Sequence, residues 1–147
     1  MRKKRRVSAD RPVYVLDSYA VLAYLGDEPG GGRVQSILSA AKEDMCRIAM
    51  SVINLGEIAY IIERERGLAL AQSALAALDL LPIEIVPATT DAALSAAHVK
   101  ANHRVAYADA FAVAAALALG GVVVTGDLEF AAVDGLIRIE WLPQSSP

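Results

Sequence analysis

Short apolar runs alternate with stretches of helical period along this chain. Val13-Tyr14-Val15-Leu16 is apolar, β-branched or aromatic, and ends at Asp17, which predicts a buried strand over 13–16. Similar runs predict strands over 47–50, 83–86, 122–124 and 136–142. Helical spacing predicts helices over 18–25, from Val34 to about Glu43, from Ser51 to Gly67, over 68–80, from Thr89 or Thr90 to about Ala101, and over 107–119. The glycine-rich segment 26–32 reads as a loop, 102–105 as a connector, and Asp134-Gly135 as a turn. Strands alternating with helices predict the α/β class: one domain over 12–142, with a central parallel sheet of about five strands and helices on both faces. In such sheets ligands bind beyond the carboxyl ends of the strands.

Composition refines this picture only in places. The chain has 147 residues, 55% of them hydrophobic, which is ample for one core. Its net charge is −3, so the body is not a general polycation. Arg2-Lys3-Lys4-Arg5-Arg6 is a basic block within an expected flexible tail over 1–11, and 143–147 reads as a second flexible tail. Asp10, Arg11 and Asp17 interrupt the apolar start and argue against a signal peptide. The longest uncharged run, Ala110 to Gly126, has about 17 residues and is divided by Gly120-Gly121, so no membrane span is expected. The lone Cys46 fits a reducing cytoplasm.

Four acids change the picture most. Asp17, Glu57, Asp109 and Asp127 each stand where a strand-like or turn-like segment gives way to a helix-like one. Singly, Asp17 and Asp109 read as helix caps or first-turn acids, and Asp127 as part of a Thr-Gly-Asp turn. Glu57 lies in a mostly apolar helix and is the hardest to explain structurally. Asp127 is the easiest to give up. Together they predict one cluster beyond the sheet edge. Two carboxylates ~4 Å apart repel by about 4 kcal/mol at an effective dielectric near 20, which a divalent ion reverses. Ser18 and Thr125 neighbour two of these acids, and Asn54 precedes Glu57 by one helical turn; these are the expected supporting residues. His98 and His103 lack zinc-type spacing, and no Walker-type phosphate loop is present.

The segments Leu16-Asp17-Ser18-Tyr19-Ala20-Val21-Leu22, Ser51-Val52-Ile53-Asn54-Leu55-Gly56-Glu57, Ala108-Asp109-Ala110-Phe111 and Thr125-Gly126-Asp127-Leu128-Glu129-Phe130 together resemble the PIN domain family, specifically the VapC-type toxins of toxin–antitoxin pairs. The resemblance spans about residues 13–142 and rests on order and spacing, since no single motif is specific. It implies a PIN-like fold and a ribonuclease dependent on Mg²⁺ or Mn²⁺, with Asp17, Glu57, Asp109 and Asp127 as catalytic and metal-binding residues. It also implies an RNA substrate, a cognate antitoxin and a homodimer. Arg2, Lys3, Lys4, Arg5 and Arg6 are candidate RNA contacts. The apolar positions Leu22, Leu25, Ile58, Ile61 and Ile62 serve the core and also offer a face for an antitoxin segment. The alternatives are a non-toxin RNA-processing nuclease of this family, an inactive binding module, and a phosphatase-like enzyme. The last normally carries a second Asp two residues after the first, where this chain has Tyr19.

Overall fold

The computed structural model describes residues 11–144, so the Arg2–Arg6 block and the end of the C-terminal tail lie outside the described residues. Five strands form one sheet: β1 (Val13–Leu16), β2 (Arg47–Ser51), β3 (Glu84–Val86), β4 (Val122–Thr125) and β5 (Arg138–Trp141). Their order is β3-β2-β1-β4-β5, and every neighbouring pair is parallel. Six α-helices accompany them: α1 (Ser18–Leu25), α2 (Gly31–Lys42), α3 (Val52–Arg66), α4 (Leu68–Asp79), α5 (Thr90–Asn102) and α6 (Tyr107–Leu119). A 3-10 helix, Leu128–Val133, follows β4. This is the expected α/β class, with helices on both faces of a parallel sheet.

Alternation along the strands explains the two faces. Val15, Ala49 and Val123 point into one core, packed with Phe111 and Val113 of α6, Ala96 and Val99 of α5, and Phe130. Leu16, Ile48, Met50 and Val124 point into the other, packed with Val21 of α1, Ile37 of α2, Ile58 of α3 and Leu78 of α4. The central strands are therefore apolar throughout, whereas Glu84 and Ile85 of edge strand β3 are exposed. Arg47 holds that edge through two contacts to the Glu84 carboxylate, at 2.9 and 2.8 Å. Arg33 of α2 grips Glu140 of β5 in the same bidentate way.

The structure departs from the sequence pattern in three places. Gly31 and Gly32 open α2 instead of belonging to the loop. A Cβ on Gly31 would lie 2.7 Å from the Ala23 carbonyl oxygen, so glycine is what lets α2 start against the end of α1. The 3-10 helix has neither strand nor α-helix periodicity and had no counterpart among the predicted elements. Arg11 and Gln144, in the expected tails, both make contacts: Arg11 pairs with Asp44, and the Gln144 amide donates to the Gly126 carbonyl. Gly31→Ala should lower stability by about 1–3 kcal/mol, because the obstacle is backbone that cannot rotate away. Chemical denaturation of the two proteins checks this, and an unchanged midpoint would refute the close packing of α1 on α2.

Candidate functional site

The chain crosses from β1 to β2 and β3 on one side, then returns to β4 and β5 on the other. The switch point lies between β1 and β4, at their carboxyl ends. Pairing of Leu16 with Val124 sets Asp17 level with Thr125 across that crevice. Asp17 caps α1: its Oδ1 accepts from the Ala20 N–H at 2.9 Å, and its Oδ2 accepts from the Thr125 hydroxyl at 2.5 Å. Thr125 Oγ1 in turn accepts from the Asp127 N–H at 2.9 Å. One hydroxyl thus links the loops that follow both central strands. Gly126 leaves room for the Tyr19 ring, which a Cβ would approach to 2.3 Å and force to shift.

Glu57 and Asp109 arrive from α3 and α6. The Ser18 hydroxyl donates to Glu57 Oε1 at 2.7 Å, tying α3 to the start of α1. Asn54, fully buried, donates from Nδ2 to the Ala108 carbonyl at 3.2 Å and more weakly to Glu57 Oε1 at 3.5 Å. That contact fixes the first turn of α6, where Asp109 stands buried with no hydrogen bond to its carboxylate among the described residues. Asp127 caps the 3-10 helix by accepting from the Glu129 N–H at 3.0 Å.

Carboxylate oxygens of Asp109, Asp127 and Glu129 can lie within 4.8 Å of one another. Asp127, the easiest of the four to assign to a turn, sits in this group, and Glu57 is outside it and accepts hydrogen bonds of its own. Glu129 was not among the sequence candidates. The available signal was an acid two residues after a helix-capping aspartate, which a short 3-10 turn folds back toward its cap.

Electrostatics join the remaining acids to this group. Burial pushes the Asp17 carboxyl up to about 7, against the hydrogen bonds from Thr125 and Ala20 and with help from the charges of Asp109 and Asp127. Burial likewise raises Asp109 to about 7, followed by the charges of Asp127, Glu57 and Glu129. Five carboxylates thus share one field, and no cation among the described residues offsets the charge felt by Asp17 or Asp109. The donor set fits a hard divalent ion, for which carboxylate and amide oxygens are the preferred ligands. Asn54 Oδ1 adds a buried acceptor with no hydrogen-bond partner among the described residues.

The sign of the pH effect follows. Folded Asp109 keeps its proton up to about 7, whereas an ordinary aspartate loses it near 3.8. The raised group supports folding at low pH and withdraws that support as pH rises through this window. Metal-free protein should therefore melt at falling temperatures from about pH 4 to about pH 8. Asp109→Asn should melt higher than the parent near pH 8, with the gap closing toward pH 4. An Asn variant melting below the parent throughout would mean that Asp109 is held by favourable contacts instead.

Known proteins were compared with this arrangement. By sequence, no curated protein matches the chain. Among solved structures, VapBC2 from Rickettsia felis, bound to a fragment of its promoter DNA, superposes with a TM-score of 0.69 at 18% identity, covering 89% of this chain and 99% of that one. VapC20 of Mycobacterium tuberculosis, described as a sarcin-ricin loop cleaving toxin, gives 0.69 at 21% identity over 88% and 99%. DNA-bound VapBC from Salmonella typhimurium gives 0.67 at 24% identity over 88% and 97%. These likenesses establish a shared fold. The PIN domain, a family in which nuclease activity is general, matches residues 14–136, which contain all of the acids above, and the chain belongs to that family.

Proposed function

We propose that this protein is a divalent-metal-dependent endoribonuclease that hydrolyses RNA phosphodiester bonds, and that it is the toxin of a type II toxin–antitoxin pair. The observation that carries this reading is the convergence of Asp109, Asp127 and Glu129 beside Asp17 and Glu57 at the switch point of the sheet. Asp109, Asp127 and Glu129 would hold Mg²⁺ or Mn²⁺ most directly, with Asp17 and Glu57 completing the anionic wall. Such an ion supplies Lewis-acid activation of water and neutralises charge on the phosphoryl oxygens. The chain's own side chains provide the positioning. Thr125 holds Asp17 to β4, Ser18 and Asn54 fix Glu57, and the Asn54–Ala108 contact sets the direction of α6 and hence of Asp109.

Incubation of total RNA with and without Mg²⁺ tests the reaction. Asp17→Asn and Asp109→Asn should each slow cleavage by roughly a hundred- to ten-thousand-fold. Parent-like cleavage by either variant, or full activity in a chelator, would overturn the site assignment. The basic block Arg2, Lys3, Lys4, Arg5 and Arg6 remains a proposed RNA contact outside the described residues. The same reading proposes a homodimer acting in the cytoplasm. No helix among the described residues is long and apolar enough to cross a membrane.

An antitoxin needs a place to bind, and the helices that carry the site provide one. Leu22, Leu25, Ile61, Ile62 and Leu70 line a groove of about 500 Å³ between α1, α3 and α4. Ile58, which was also expected on this face, is fully buried in the core. Ile61 lies one turn beyond Glu57, and Leu22 one turn beyond Ser18, so an apolar segment in the groove ends beside the acids. The VapBC structures with this fold are toxin–antitoxin assemblies, which supports the partner class. Expression of the chain alone should arrest growth, and co-expression of its antitoxin should relieve the arrest. Ile61→Asp should stay toxic while escaping that relief. Relief of the variant as complete as of the parent would exclude the groove.

A further inference from the structure

A second cleft opens from the acidic group. It measures about 840 Å³ and lies between the α5–α6 connector and the 3-10 helix. One wall carries Lys100, His103 and Arg104; the opposite wall carries Leu128 and Glu129. Glu129 belongs both to this cleft and to the group of metal-competent carboxylates, so the two are continuous. We propose that this cleft seats the RNA nucleotide next to the scissile bond, with Arg104 holding its phosphate and Leu128 underlying its base.

This inference rests on the nuclease reading and specifies how that site acquires a polyanion. The acids repel the strand they act on, and the net charge of −3 gives no general attraction. Cations must therefore stand next to the acids. The connector is built to present one. The His103 ring bonds through Nδ1 to the Ala132 carbonyl at 3.2 Å, joining the connector to the 3-10 helix. Val105 is buried on the other side, and its carbonyl accepts from Lys100 Nζ at 2.9 Å. With both neighbours anchored, the exposed Arg104 faces the cleft and has no ion-pair partner among the described residues. Leu128 is 66% exposed and stands on the opposite wall of the cleft. An apolar side chain across the cleft from a guanidinium matches the alternation of base and phosphate along a single strand.

The test uses a labelled single-stranded RNA oligomer and the full chain carrying Asp109→Asn in Mg²⁺, so that binding is read without cleavage. Fluorescence anisotropy is followed against salt concentration. Adding Arg104→Ala should weaken binding and flatten the log–log salt slope by about 0.7, the value of one phosphate contact to a single strand. Arg104→Lys should restore most of that slope. Arg138→Ala removes the same charge at the amino end of β5, from a residue that does not line the cleft, and should leave the slope intact. An unchanged slope in Arg104→Ala, or an equal change in Arg138→Ala, would overturn the proposal. The parent's cleavage of RNA is scored separately. If it is absent while binding still depends on Arg104, the nuclease reading fails and the RNA subsite stands.

Discussion

The hydrogen bond from Thr125 to Asp17 spans the switch point, and the site is organised around it. Parallel pairing of β1 with β4 brings the two residues level, and the helices then fan out from that line. Asp17 is only 1% exposed, so a charge there is costly unless both oxygens are bonded. Thr125 and the first turn of α1 meet that need in part. Burial still prevails and holds the carboxyl at about 7.

The acids divide by how they are held. Asp17 and Glu57 are fixed by side-chain hydroxyls, from Thr125 and Ser18, on elements at the centre of the fold. Asp109, Asp127 and Glu129 stand together with no hydroxyl donor to their carboxylates among the described residues, and after burial it is the charges of its neighbours that raise the Asp109 carboxyl. The first pair is tied to the fold by hydroxyls, whereas in the trio the Asp127 carboxylate accepts from the Glu129 N–H. This division is why Asn substitution at Asp109 is expected to affect stability and activity in opposite directions. Burial, and after it the neighbouring charges, weaken the metal-free protein, and the proposed cation would offset both.

Much of this was legible in the sequence, and the reasons are physical. Val13–Leu16 and Val122–Thr125 are buried on both faces, so their apolar runs announced central parallel strands and placed Asp17 and Asp127 at the carboxyl ends. Asn54 was legible because an i, i+3 spacing on α3 dictates contact with Glu57. Glu129 was not, because Leu128–Val133 forms a 3-10 turn whose short period leaves no mark in hydrophobic spacing. The opening of α2 at Gly31 was missed for a related reason. Glycine there answers a tertiary contact with Ala23, which local propensity does not encode.

The same helices couple the acidic group to the groove. α1 and α3 each present a polar residue to the acidic group, Ser18 and Glu57, and one turn later an apolar residue to the groove, Leu22 and Ile61. The two faces cannot move independently, because the Ser18–Glu57 bond fastens the helices together where acids give way to groove. The proposed partner, seated in the groove, would reach Glu57 by extending about one helical turn, roughly 5.4 Å. A cation carried at that point would meet a field of five carboxylates, so the proposed antitoxin would draw binding energy from the same repulsion that the proposed metal would relieve. Occupation of the site by metal and by such a partner would then be mutually exclusive, which makes inhibition a direct consequence of the site's own charge.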